Sequence, residues 1–262
     1  MRRLTPILPL ALCVVAAACG NGGESATVAA RDAAATASTT VVDSAAMSTQ
    51  PTVPATTPST TAAPTTTTAP PTTIASFSST VAAIDASRLP FSWRPGCPVA
   101  VEDLRLLTLT YWGFDDHPHQ GELVVHKRYA DAIVSVFAQL FGARFPIERM
   151  ELVDVYDGND DRSMVANNTS AFNCREVAGR PGVLSEHSLG GAIDINPLIN
   201  PWVHYGKVDP PEGAQYADRN QPWKGAIYAD DVVVRAFASI GWGWGGAWPD
   251  SHDYQHFSAS GR

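Results

Sequence analysis

Apolar and polar positions are patterned clearly only in the second two thirds of the chain. Leu104–Trp112 (LRLLTLTYW) is dense in apolar and β-branched residues and predicts a strand. Residues 121–125 predict either a second short strand or the lead into a helix. After them, Ala130, Ile133, Val134, Phe137, Leu140 and Phe141 fall on one stripe at helical spacing, with Gly142 and Pro146 bracketing its end. Residues 148–156 (ERMELVDVY) predict a strand. Residues 230–240 predict a helix whose first residues are acidic, which suits the positive end of the helix dipole, and Gly241 ends it. A last short strand is predicted over 254–258. One helix between strands, with long irregular connections, indicates an α+β fold in which helices pack on a small antiparallel sheet.

The N-terminal third reads differently. Arg2 and Arg3 precede an uncharged apolar run over 4–18, which ends in Ala16-Ala17-Ala18-Cys19. This is the layout of a secretory signal peptide over 1–19, and the cysteine resembles a lipoprotein cleavage box. The alternative is ordinary cleavage after an alanine-rich stretch. Residues 20–85 predict a linker. From Ser44 to Ile84 there is no charged residue, and 51–80 contain 12 Thr and 6 Pro. Such a segment has little to bury against the entropy of ordering it, and proline extends it into a spacer. The folded domain is therefore expected over 86–262, outside the cytoplasm, on the cell envelope or secreted.

Charge narrows the function classes. The net charge is −8, and the part from residue 86 onward holds 15 basic and 22 acidic residues. An acidic domain lacks the basic face that phosphate neutralisation requires, so no nucleic-acid partner is expected. A membrane is expected as partner only through an N-terminal lipid anchor, and the domain is expected to be a monomer. Cys13 and Cys19 belong to the leader, which leaves Cys97 and Cys174 in the folded part. In an oxidising compartment they are expected to pair as a disulfide; the alternative is two buried thiols.

Two short motifs carry candidate chemistry. In Ser185-Glu186-His187-Ser188-Leu189-Gly190-Gly191-Ala192-Ile193-Asp194, a His and an Asp are separated by glycines that permit a tight turn. Alternation over 192–195 puts Asp194 on one face with the small Ala192. In Asp253-Tyr254-Gln255-His256, a second carboxylate and imidazole lie three apart near the end of the sequence. Two His and one Asp (His187, Asp194, His256) are a donor set that leaves a fourth position open, as a catalytic zinc site requires, and Asp253 could act as a general base beside it. Each motif alone also fits chance.

Together, Ser-x-His-x-x-Gly-x-Ala-x-Asp and the later Asp-x-x-His resemble the D-alanyl-D-alanine carboxypeptidase / L-alanyl-D-glutamate peptidase family of zinc peptidases. The resemblance covers roughly residues 95–258. It implies an α+β fold shared with the hedgehog signalling domain, one Zn²⁺ held by His187, Asp194 and His256, and Asp253 as the catalytic acid and base. It also implies a substrate-binding arginine upstream. The usual Gly-Tyr-Arg context is absent, and of the two candidates Arg175 is favoured over Arg162, because it follows Cys174. Trp242, Trp244 and Trp248 are candidates for the cleft wall. His252 is read as a rim residue, and His117, His119, His126 and His204 are assigned no metal role. The implied substrate is the peptidoglycan stem peptide, cleaved by a D-alanyl-D-alanine carboxypeptidase. An L-alanyl-D-glutamate-type endopeptidase or dipeptidase is the alternative within the family, and a non-catalytic wall-binding module the alternative outside it.

The leader has a direct test. If Cys19 is lipidated, the protein partitions with membranes, and Cys19→Ala releases it. Recovery of the unmutated protein entirely in the culture medium would rule lipidation out.

Overall fold

The computed structural model describes residues 75–262. The expected signal peptide, Cys19 and the linker up to residue 74 lie outside the described residues. Strands β1 (Ser79–Ala83), β2 (Leu104–Trp112) and β3 (Pro118–His126) form an antiparallel sheet in that order. Residues 121–125 are thus strand, and the strand is longer than the apolar pattern suggested. β1 falls inside the stretch read as linker, so ordered structure begins before residue 86. All five of its residues are exposed, which is why no buried face marked it. It is held by its backbone ladder to β2, with Phe77 packed against the core just ahead of it.

Helix α1 (Ala130–Gly142) covers this sheet with Ile133, Val136, Phe137 and Leu140 fully buried. The predicted stripe is nearly the observed one, except that Val136 is buried and Val134 only half-buried. Residues 148–156 are not one strand. Only β4 (Arg149–Met150) pairs, and Val153–Tyr156 turns as a 3-10 helix closed by left-handed Asp157. The cause is Asp154. Its carboxylate accepts bonds from the backbone N–H groups of Phe91 and Ser92 and from the Ser92 hydroxyl, which fastens this turn to the N-terminal segment.

Helix α2 (Asp160–Val165) follows, and β5 (Asn168–Thr169) pairs in parallel with β4. The remaining strands are short: β6 (Ala192–Asp194), β7 (Trp202–His204), β8 (Lys207–Asp209), β9 (Gly243–Trp244), β10 (Ser251–Asp253) and β11 (His256–Ser258). They form two antiparallel sheets, ordered β6-β11-β9 and β10-β7-β8. Helix α3 (Val232–Ser239) is capped by the Asp231 carboxylate, which accepts from the N–H groups of Val233 and Val234. Gly241 takes the positive φ that ends it. Phe237 of α3 stacks on Phe257 of β11 with ring centroids 4.2 Å apart, so the helix backs the strand that carries His256. The architecture is α+β, as the sequence pattern indicated.

Cys97 and Cys174 are bonded, with Cα atoms 6.0 Å apart. The bridge closes a second, smaller core around Leu89, Val99, Leu104 and Phe172. A cross-link spanning 77 residues restricts the unfolded chain strongly. Reduction should therefore lower stability by about 2–5 kcal/mol. Chemical denaturation with and without reductant measures this, and superimposable curves would exclude it.

Candidate active site

His187 lies in a 3-10 turn (Glu186–Leu189) whose N-cap, Ser185, accepts the His187 backbone N–H on its hydroxyl. Gly190 closes the turn at φ +62°; a Cβ there would come within 2.6 Å of the His126 backbone nitrogen, so the position needs glycine for both conformation and space. The chain then enters β6, where Asp194 pairs in register with His256 of β11, and Ile193 with Phe257. The separation of 62 positions between Asp194 and His256 is thus closed by one antiparallel ladder. Gly245 lets the Trp/Gly-rich run pass close behind this ladder, where a side chain would strike the Asp253 backbone and its Cβ.

The three side chains meet. Asp194 Oδ2 lies 3.1 Å from His187 Nε2, and Asp194 Oδ1 lies 3.0 Å from His256 Nδ1. All three residues are at least nine-tenths buried. One donor atom from each falls within 4.8 Å of the others, a spacing at which they could hold a metal ion. His187 Nδ1 donates to the Ala171 carbonyl at 2.5 Å, which sets the tautomer and leaves Nε2 facing the cluster. Two imidazoles and a carboxylate are borderline-soft donors suited to zinc, and their number leaves a coordination position open.

Electrostatics follow from burial. Burial alone would raise the Asp194 carboxyl, but the two imidazoles outweigh it and hold the group well below the usual carboxylate range. Burial alone would lower His256. The bonded Asp194 carboxylate outweighs that too, helped by Asp253 and the Arg262 backbone oxygen, and the imidazolium rises to about 9. Asp253 is pushed up to about 7, chiefly by burial, with nearby His256 opposing and Asp194 reinforcing the shift. Its Oδ1 is shielded from solvent and has no hydrogen-bond partner.

The cluster opens on a cleft of about 760 Å³ whose lining includes Arg175, Trp202, Trp248 and Asp253. Of the predicted wall residues, Trp248 lines it. Trp242 is instead core, packed between Tyr129 and Phe237, and Trp244 lies half-buried beside Phe257. Helical and strand packing claim those two rings because they sit at the α3 and β9 junctions rather than at the cleft rim. Arg175 faces the cleft and pairs with Asp160 of α2 at 2.6 Å. Arg162 is outside the lining, exposed, and bound to Asp157 and the Tyr156 carbonyl. His252 is exposed and faces the Gly246 carbonyl. Sequence reasoning missed Trp202, which no short motif marks. It also missed Arg219, stacked over the Tyr254 ring at 4.1 Å and bonded to the Ile199 carbonyl and Asn200. Arg219 thereby braces the Asp253–His256 segment from behind.

The titrations give the metal-free protein a pH-dependent stability of known sign. His256 is raised from 6.5 to about 9, so its contribution is complete below pH 6.5 and is lost as the pH rises through 9. Asp253 is raised from 3.8 to about 7, so its cost to the folded state builds as the pH rises from 3.8 to 7 and is complete above that. After removal of metal by chelation, Asp253→Asn should flatten the fall in melting temperature between pH 3.8 and 7, and the melting temperature of the unmutated protein should fall further between pH 6.5 and 9. A melting temperature that is flat or rising over that window would contradict the arrangement.

Residues 178–259 match a family model described as D-alanyl-D-alanine carboxypeptidase. No curated protein and no solved structure matches the chain. The matched stretch contains His187, Asp194, Asp253 and His256, the residues that the fold gathers at the head of the cleft, while Arg175 lies just before it. Over residues 178–259, about a third of its length, this chain is thus similar to the D-alanyl-D-alanine carboxypeptidase family of peptidases.

Proposed function

We propose that the protein is an exported, zinc-dependent peptidase that hydrolyses peptidoglycan stem peptides as a D-alanyl-D-alanine carboxypeptidase. The observation that carries this reading is the buried His187–Asp194–His256 cluster beside the unpaired Asp253 oxygen in an open cleft. Export rests on the leader, and the long Thr/Pro-rich spacer suits a domain working at a distance within a cell wall.

His187, Asp194 and His256 would hold the zinc. When bound, the metal supplies positive charge that lowers the pKa of an attacking water and polarises the scissile carbonyl. Asp253 takes the proton from that water and delivers it to the leaving amine as the C–N bond breaks, so one water is consumed and an acid and an amine are released. Buried beside the cluster with an unpaired oxygen, the Asp253 carboxylate is placed for both transfers. Arg175, oriented by Asp160, offers its guanidinium to a substrate carboxylate or to the developing oxyanion. The cleft has room beyond a terminal dipeptide, which favours an L-alanyl-D-glutamate-type endopeptidase as the second reading. A wall-binding module without chemistry would have no use for a buried, unpaired carboxylate.

Ligand and base should separate on mutation. His256→Ala loses zinc and activity together. Asp253→Asn retains near-stoichiometric zinc but loses about 10²–10⁴-fold or more in turnover, because only basicity is removed. Metal analysis, with mass spectrometry of defined stem peptides after incubation, reads both effects and identifies the bond cut. Zinc lost from Asp253→Asn but kept by His256→Ala would reverse the assignment, and uncut peptides with the zinc-loaded protein would refute the function.

A further inference from the structure

Among the described residues, five buried side-chain atoms have no hydrogen-bond partner: Arg175 Nε, Trp202 Nε1, Arg219 Nε, Asp253 Oδ1 and Gln255 Oε1. Four of the five belong to residues lining the one cleft. An orphaned buried polar atom forfeits its hydrogen bond to water without replacement, so the concentration of these atoms in one place implies that a partner arrives there. Arg219 is the exception and is accounted for, since its other nitrogens are bonded and its guanidinium is stacked on tyrosine. Arg175 and Asp253 have roles in the reaction proposed above. Trp202 does not, and Gln255 touches the reaction only through a side-chain hydrogen bond to Asp253; both are neutral.

We infer that Trp202 and Gln255 bind the main chain of the peptide substrate, the indole N–H donating to a peptide carbonyl and the Gln255 amide oxygen accepting from a peptide N–H. This rests on the peptidase reading and deepens it. The two groups flank the base. Trp202 on β7 is the register partner of Asp253 on β10, and Gln255 stands two residues beyond Asp253. Each is held in place. The Trp202 ring stacks on His204 with centroids 3.9 Å apart and planes at 19°. Gln255 is 3% exposed, its backbone carbonyl accepts from Ile195 N–H, and its Nε2 faces Met164 Sδ at 3.6 Å. Because the sulfur is an acceptor, the amide nitrogen is the end that belongs there, which leaves the oxygen free. One unpaired donor and one unpaired acceptor, both uncharged, complement a peptide unit better than they complement a charged terminus, which Arg175 is equipped to meet.

The test uses Trp202→Phe, which keeps the stack and removes only the N–H, and Gln255→Met, which keeps length and removes the acceptor. Each should raise KM for an N-acetylated peptide ending in D-alanyl-D-alanine by roughly 3- to 10-fold, with the larger part of the effect in KM rather than kcat. Zinc content and melting temperature should hold. In the zinc-loaded Asp253→Asn protein, the Trp202 indole N–H resonance, identified by its loss in Trp202→Phe, should shift when that peptide is added. Unchanged KM in both variants, or an indole resonance that stays put while the peptide binds, would overturn the inference and leave the peptidase reading standing. A fall in zinc content or melting temperature that accounts for the lost activity would show a merely structural role and overturn it as well. If the unmutated protein neither cuts nor binds the peptide, the peptidase reading fails first and this inference falls with it.

Discussion

A carboxylate buried between two imidazoles is the constraint on which the rest of this fold depends. Removing the charge of Asp194 from water is tolerable only if that charge is closely paired, and here His187 and His256 meet one oxygen each. The pairing demands that three residues from separate parts of the chain arrive within a few ångströms. It also demands a rigid surround, because looser packing would weaken the pairing of Asp194 with its two imidazoles.

The surrounding structure meets these demands by simple means. The β6–β11 ladder sets Asp194 opposite His256 and, one step on, Ile193 opposite Phe257, so one register serves both the site and the core. Phe237 of α3 closes the apolar side of that strand pair. His187 is held from the other side by the Ala171 carbonyl, on a run that continues through Phe172 to the disulfide at Cys174. The disulfide, remote from the chemistry, thus anchors the backbone that carries both the carbonyl orienting His187 and the arginine facing the cleft.

The cleft itself departs from the rule that buried polar groups find partners. In the core the rule holds: Asn196 and Asn200 bond backbone groups on three sides and pin the loops beyond β6. At the head of the cleft it fails for several atoms together. Among the described residues the unpaired buried side-chain atoms lie, Arg219 Nε apart, along one concavity, which describes a surface preorganised for a polar, hydrogen-bonding ligand such as a peptide.

The sequence alone determined those features whose cause is local. The strand at Leu104–Trp112, the stripe of α1 and the end of α3 at Gly241 were legible because periodicity and turn chemistry act over a few residues. The pairing of Cys97 with Cys174 was legible because few alternatives existed. The residues of the buried cluster were legible through motif spacing. Tertiary structure decided the rest. It broke 148–156 after two residues, because Asp154 found backbone donors 62 and 63 residues away. It built β1 from exposed residues, because a backbone ladder needs no apolar face. It sent Trp242 and Trp244 into packing and put Trp202 on the cleft instead, because which ring faces a cavity depends on register between strands distant in sequence, and no local pattern records that register.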